Sequence, residues 1–439
     1  MKITFMGAGS TVFAKNVLGD VMTCENLCES EICLYDIDGA RLQESYMMLD
    51  NINRNCNKGR ASLKTYLGVE NRKEALRGAD FVVNAIQLGG YEPSTVNDFE
   101  IPKKYGLRQT FADTLGIGGI LRTLRTIPVL EDFAREMEEV CPNAWFLNYT
   151  NPMAMLTGYM LRYTGVKTVG LCHSVQVCSE HLLESLDMKE FLEGRRELIA
   201  GINHMAWLLE IRDKNGNDLY PEIRRRALQK NDTEQHNDMV RFEYIRRLGY
   251  YCTESSEHNA EYNPFFIKSK YPELIDRYQI PLDEYPRRCI HQIEDWNKRR
   301  DELVHNTALT HERSREYASH IMEAIVTNEP YKIGGNVLNQ GLIDNLPSDA
   351  CVEVPCLVDG SGVTPCHVGR LPVQLAAMNM TNINVQLLTI EAAVTKKRDL
   401  IYNAAMLDPH TAAELSIDDI VKMVDELIEA HGSYLPAYH

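Results

Sequence analysis

The chain has 439 residues, 44% of them hydrophobic and 25% charged, with a formal net charge of −16. This length exceeds one typical core, so two lobes or one enlarged α/β domain are expected. The negative charge disfavours nucleic acid and anionic membrane as partners, and no apolar run approaches the roughly 18 residues of a membrane span.

Met1-Lys2-Ile3-Thr4-Phe5 has the look of a strand rather than a signal peptide, and the twelve cysteines are scattered without a disulfide framework. Both features point to a reduced, cytoplasmic protein whose thiols act as small apolar side chains. Cys24/Cys28 and Cys351/Cys356 lack the nearby His pair of a zinc knuckle.

Ile3–Met6, Ile32–Tyr35, Phe81–Ile86, Trp145–Asn148 and Thr168–Leu171 are short apolar runs separated by helical stretches, the βαβ pattern. Leu130, Phe133, Met137 and Val140 recur at helical spacing over Val129–Val140, before Pro142. Beyond residue 195 or so the pattern shifts to long amphipathic helices. The last has Ile420, Val421, Val424, Leu427 and Ile428 on one face and ends at Gly432. The expected fold is α/β. A Rossmann-type, doubly wound, mostly parallel sheet occupies residues 1–195, and a second α+β lobe for substrate, metal and oligomerisation occupies residues 196–439.

Gly7-Ala8-Gly9-Ser10, with Thr11 opening the next helix, follows the first strand. Two close glycines let backbone N–H groups approach a pyrophosphate at a helix N-terminus. Val12 stands where a third fingerprint glycine is usual, so the motif gains its weight from Asp36 at the end of the second strand, with Asp38 close behind. A carboxylate there accepts from the adenosine ribose and repels a 2′-phosphate, favouring NAD over NADP. Ligands in such sheets sit beyond the carboxyl ends of the strands. Asn84, Asn148 with Asn151, and Cys172 with His173 all fall there.

Cys172-His173-Ser174-Val175, followed at Asn203-His204 by another histidine, carries the most chemistry. Cys172 and His204 can coordinate a catalytic divalent metal, which needs open positions for substrate; packed core residues are the alternative. His173 is a candidate proton donor, or else a second metal ligand or a nicotinamide contact. Asp113 lies before Gly116, Gly118 and Gly119 in a glycine-rich stretch expected to be a loop. The polar run Glu254–Tyr262 is either a solvated face or the source of a general base, Tyr262 or Glu261.

These residues carry a resemblance. The chain resembles glycoside hydrolase family 4, the NAD- and metal-dependent glycosidases that depart from the usual two-carboxylate mechanism. The match covers essentially the whole chain. It rests on Gly7-Ala8-Gly9-Ser10, Gly89-Gly90-Tyr91-Glu92-Pro93, Ala112-Asp113-Thr114, Leu147-Asn148-Tyr149-Thr150-Asn151-Pro152, Cys172-His173-Ser174-Val175 and Gly201-Ile202-Asn203-His204. Within the family, Cys-His-Ser-Val looks like the version acting on non-phosphorylated sugars. Thr253–Tyr262, Gly341–Pro347 and Asp408–Ile417 look closest to its α-galactosidases.

The resemblance implies hydrolysis of α-galactosides such as melibiose with NAD+ and Mn2+, by a homodimer or homotetramer. NAD+ would oxidise C3, a base would remove the C2 proton, the glycosidic oxygen would leave with acid assistance, and water addition and re-reduction would follow. Residue by residue it implies Cys172 and His204 as metal ligands, His173 as proton donor, Tyr262 as base and Asp113 as the acid that makes the tyrosine more basic. Asn151 matches a substrate contact, and Arg287 or Arg288 another. The alternatives are an α-glucosidase of the same family and, from a different class, an NAD-dependent hydroxy-acid dehydrogenase, which needs no Cys/His metal pair. A non-catalytic NAD sensor would bind nucleotide without turnover.

Overall fold

Twelve strands form one continuous sheet in the computed structural model, which describes residues 1–439. They are β1 Lys2–Met6, β2 Glu31–Asp36, β3 Ser62–Leu67, β4 Phe81–Asn84, β5 Trp145–Asn148, β6 Lys167–Gly170, β7 Arg196–Ile202, β8 Met205–Arg212, β9 Tyr251–Cys252, β10 Tyr331–Leu338, β11 Cys351–Asp359 and β12 Gly362–Pro365. The order is β3-β2-β1-β4-β5-β6-β10-β11-β7-β8-β9, with β12 paired to β11.

From β3 to β6 every pairing is parallel. This is the doubly wound order with its switch point between β1 and β4, where a crevice opens above the strand ends. From β10 to β9 every pairing is antiparallel. The five expected strands are all present because their residues are buried on both faces, as Ile3, Phe5, Val82 and Phe146 are. The expected Phe81–Ile86 strand stops at Asn84, and Ala85 and Ile86 continue as cavity wall. Strand β3 was not anticipated. It lies at the sheet edge and its Ser-Leu-Lys-Thr-Tyr-Leu sequence leaves only Leu63 and Tyr66 half-buried, so it lacks an apolar run.

The helix expected over Val129–Val140 begins much earlier and spans Gly116–Val140. The glycines taken for a loop are its first turn. Added Cβ atoms at Gly118 and Gly119 would lie 2.3 Å from the Ala112 carbonyl oxygen and 2.7 Å from that of Thr114. These glycines therefore let the segment carrying Asp113 fold back onto the helix start. The C-terminal helix, Ile417–His431, is capped by Ser416, whose side chain accepts from the Asp419 amide at 3.2 Å. It buries Ile420, Met423, Val424 and Leu427, and ends at Gly432 with φ of 49°. No helix is long and apolar enough to cross a membrane.

One cluster of 95 buried apolar residues runs from Ile3 to Leu435 and so spans both ends of the chain. It encloses a charged junction of three helices. Arg125, on Gly116–Val140, donates to both Asp98 oxygens at 3.2 and 2.7 Å, and His431 Nε2 lies 2.9 Å from Asp98 Oδ1. Removing one member of a buried charged set leaves its partner uncompensated. Asp98→Ala should therefore lower stability by about 3–5 kcal/mol, read as a fall in the urea midpoint; an unchanged midpoint would show the junction to be dispensable.

Candidate functional site

Beyond the strand ends lies a cavity of about 550 Å3. Its nucleotide side starts at the turn after β1. Gly7 has φ of 88°, and a Cβ there would lie 2.8 Å from the Ala85 carbonyl oxygen, so only glycine allows β1 and β4 to approach at this point. The Gly7 and Ala8 amides donate to the Tyr35 carbonyl at 3.0 and 2.9 Å. Gly9 donates to Asp36 Oδ2 at 2.6 Å, and the Asp38 amide to Asp36 Oδ1 at 2.9 Å. Asp36 thus shapes the turn as well as standing at the expected ribose position. Ser10 faces the cavity and Thr11 is buried at the start of helix Thr11–Thr23. Val12 is exposed, so no third glycine is required for packing.

Asn84 and Asn148 are fully buried and lie beneath the cavity rather than on its wall. Asn84 Nδ2 donates to Asn148 Oδ1 at 2.9 Å and to Thr150 Oγ1 at 3.2 Å, while Asn148 Nδ2 donates to the Thr150 carbonyl and to Thr157 Oγ1. Their effect is to order Thr150 and Asn151, which do line the cavity. The buried Asn151 Oδ1 has no partner within the protein.

Cys172, His204 and Glu254 bring their ligand atoms within 4.8 Å of one another. Cys172 caps helix His173–Ser185 just past β6, and its amide donates to the Tyr317 hydroxyl at 2.7 Å. His204 occupies the two-residue turn joining β7 to β8, and Glu254 lies just past β9; both have φ of 63°. A row of paired residues sets their distance. Gly170 of β6 faces Asn336 of β10, Asn336 faces Glu353 of β11, and Glu353 faces Gly201 of β7. Asn336 Nδ2 donates to Glu353 Oε1 at 3.0 Å within this row, and burial pushes the Glu353 carboxyl up to about 7.

The electrostatics of the trio favour a cation. Burial opposes charge on His204, yet Glu254 and Cys172 push its pKa up to about 10. Burial likewise opposes the Glu254 carboxylate, but His204 and His258 hold it down at about 2. A thiolate, an imidazole and a carboxylate around one point are a suitable donor set for a divalent transition ion, which takes the place of the proton. Glu254 is the ligand candidate that sequence reasoning missed, although the polar run containing it was singled out.

His173 faces the cavity, and its Nε2 lies 2.6 Å from Glu316 Oε2. Burial opposes the imidazolium, but Glu316 outweighs it and raises the pKa. Asp113 also faces the cavity. Its Oδ1 accepts from Thr114 Oγ1 at 2.9 Å and lies 3.7 Å from His258 Nε2, and its Oδ2 lies 4.0 Å from Arg122 Nη1. Glu261, one of the two base candidates, points away from the cavity. It accepts from the Thr110, Phe111 and Ala112 amides at 2.7, 3.2 and 2.8 Å, and so fixes the turn that presents Asp113.

Tyr262 does not reach the cavity wall. It is 1% exposed, and its hydroxyl lies 3.2 Å from His204 Nδ1. The wall position belongs instead to His258, stacked on Phe111 with centroids 3.6 Å apart and held through Nδ1 by Ser255 Oγ at 2.7 Å. Tyr262 follows the last residue of the short helix Ser256–Glu261 as its C-cap, outside the helix that carries His258. Arg288 lines the cavity; Arg287 turns outward to the Leu282 carbonyl and Glu284. Arg122 and Glu316 had no sequence signal: the first is one charge in a long helix, the second 143 residues from its partner His173.

Two family models cover most of the chain. The one described as "Family 4 glycosyl hydrolase" matches residues 2–188, and the one described as "Family 4 glycosyl hydrolase C-terminal domain" matches residues 199–411. The chain is 64% identical over 437 residues to an alpha-galactosidase of Bacillus subtilis (strain 168), covering 100% of this chain and 99% of that one. It is 34% identical over 450 residues to an alpha-galactosidase of Rhizobium meliloti (strain 1021), covering 100% and 89%. A crystal structure of a 6-phospho-alpha-glucosidase from gut microorganisms, in complex with NAD and Mn2+, shares the fold with a TM-score of 0.82 at 20% identity, covering 100% and 99%.

The Tyr262 contact makes a prediction about the metal trio. Groups that orient a ligating histidine typically account for 10–100-fold in affinity. Tyr262→Phe should weaken Mn2+ binding by roughly that factor, measured by calorimetry, without changing the fold; unaltered affinity would remove the hydroxyl from the support of His204.

Proposed function

The chain belongs to the family 4 glycosyl hydrolases, and we propose that within this family it is an α-galactosidase working with NAD+ and Mn2+. The observation that carries the reading is the convergence of Ser10, at the end of the Gly7–Ser10 turn, and the Cys172–His204–Glu254 trio on one cavity. The likeness to two α-galactosidases over the full chain supports the choice of sugar. A hydroxy-acid dehydrogenase would have no use for the trio. The requirement for NAD+ and for a reduced Cys172 suits an intracellular enzyme.

The residues fit both groups. Gly7, Gly9 and Ser10 with the start of the helix at Thr11 hold the dinucleotide phosphates, and Asp36 its ribose. Cys172, His204 and Glu254 hold the metal, with Tyr262 orienting His204. When bound, NAD+ would supply a reversible hydride acceptor for C3 of the sugar, and the metal a Lewis acid that would make the C2 proton removable.

The remaining steps fall to side chains. His258 takes the C2 proton, since it stands on the wall beside Asp113 and burial lowers its pKa, which favours the neutral ring over the imidazolium. Glu316 holds Nε2 of His173, leaving Nδ1 to protonate the departing glycosidic oxygen. Asn151 offers its unpaired Oδ1 to a sugar hydroxyl. Arg288 offers its remaining N–H groups at the outer side of the same wall.

Hydrolysis in deuterated water should place deuterium at C2 of the released galactose, detected by NMR; galactose without it would overturn the elimination route. Turnover of p-nitrophenyl α-galactoside should require both NAD+ and Mn2+ and exceed that of the α-glucoside, whose faster cleavage would shift the assignment to an α-glucosidase. Cys172→Ser should abolish the Mn2+-dependent rate. His258→Asn should still reduce enzyme-bound NAD+, seen by NADH absorbance, but lose C2 exchange; retained exchange would return the base role to Tyr262.

A further inference from the structure

The cavity wall carries two permanently cationic side chains, Arg122 and Arg288, and no lysine. Neither charge is free. Arg122 lies 4.0 Å from Asp113, donates to the Tyr285 hydroxyl at 3.1 Å, and is buried. Arg288 is half-exposed, with its guanidinium carbon 4.7 Å from the centre of the Phe111 ring. It donates from Nη2 to Glu257 Oε1 at 2.7 Å and from Nε to Glu284 Oε1 at 2.9 Å. Two carboxylates therefore occupy one edge of a single guanidinium. Glu284 is shared with the outward-facing Arg287, whereas Glu257 has no other cation within salt-bridge distance.

This pairing has a consequence for the sugar. A neutral hydroxyl can use the N–H groups that Arg288 keeps. A carboxylate or phosphate brought to the same guanidinium meets Glu257 and Glu284 across it, and like charges juxtaposed in a site act against binding. We infer that Glu257 is a specificity-determining residue: by cancelling the charge of Arg288 it restricts the cavity to glycosides without an anionic group and excludes uronides and sugar phosphates. The inference deepens the α-galactosidase reading and rests on it for the identity of the neutral sugar. Glu257 needs no contact with substrate for this role; it acts through Arg288.

Glu257→Gln keeps the size and the hydrogen-bond acceptor while removing the charge. The test compares kcat/KM for p-nitrophenyl α-galacturonide and p-nitrophenyl α-galactoside. In Glu257→Gln the uronide-to-galactoside ratio should rise at least about tenfold at low ionic strength and fall back toward the wild-type value in high salt. A purely structural role for Glu257 would lower both substrates together and leave the ratio unchanged, and that result overturns the inference. Arg288→Gln added to Glu257→Gln should restore the wild-type ratio; a ratio that stays raised also overturns it, since the gain would not come from Arg288. Should Glu257→Gln fail to fold by circular dichroism, Glu284→Gln supplies the same comparison, with a smaller rise expected because Arg287 shares that carboxylate. Wild-type inactivity on the galactoside would sink the α-galactosidase reading alone. The charge inference is then read on the α-glucuronide and α-glucoside pair.

Discussion

The in-register row Gly170–Asn336–Glu353–Gly201 holds the molecule's chemistry in place. It crosses β6, β10, β11 and β7, joining the parallel and antiparallel parts of the sheet. Cys172 lies two residues beyond one end of the row and His204 three beyond the other. The side chains in the row have little room to change. A Cβ on Gly170 would lie 2.5 Å from Thr157 Oγ1, and one on Gly201 2.8 Å from Ala206 Cα. Asn336 and Glu353 are fully buried and bonded to each other, so a register slip would leave polar groups unpaired in the core. Two candidate ligands 32 positions apart in sequence approach each other because this row holds its register.

Upon that frame, charge does most of the local work. In the trio Cys172, His204 and Glu254, the surroundings of the imidazole favour positive charge. Two further carboxylates are spent on geometry. Glu261 gathers three backbone amides to form the turn before Asp113, and Glu316 fixes His173. Nearby, Glu257 and Glu284 quench Arg288. The −16 net charge of the chain is thus not only a solvated surface, since several of its carboxylates serve the cavity.

Most of the parallel half was legible in the sequence because strands buried on both faces appear as short apolar runs, whatever they pair with. Edge strand β3 escaped for the opposite reason. Hairpin β7–β8 escaped too, although Ile199–Ile202 and Met205–Leu208 are apolar, since two adjoining apolar runs are compatible with helix or strand until something pairs with them. Gly116, Gly118 and Gly119 suggested a loop because glycine weakens helices. Here the need for close approach of Ala112 and Thr114 outweighs that preference.

Residue type and position at a strand end or the turn after it point to Gly7, Gly9, Asp36, Asn151, Cys172 and His173 as candidates, because each is a local statement about one turn or one strand end. His204 and Asp113 stood out instead by residue type and by the family resemblance. Which of several neighbouring polar residues faces the cavity was a tertiary matter. Within Glu254–Tyr262 the left-handed Glu254 and the short helix Ser256–Glu261 put Glu254 and His258 forward, Glu261 behind the Asp113 turn and Tyr262, the C-cap, behind His204. The same distinction separates Arg288 from Arg287 on consecutive residues, as adjacent helical side chains point about 100° apart. Sequence alone determined the chemistry available and the ends of strands from which it is offered. The tertiary structure decided which group meets which, because those contacts depend on packing angles and on partners more than a hundred residues away.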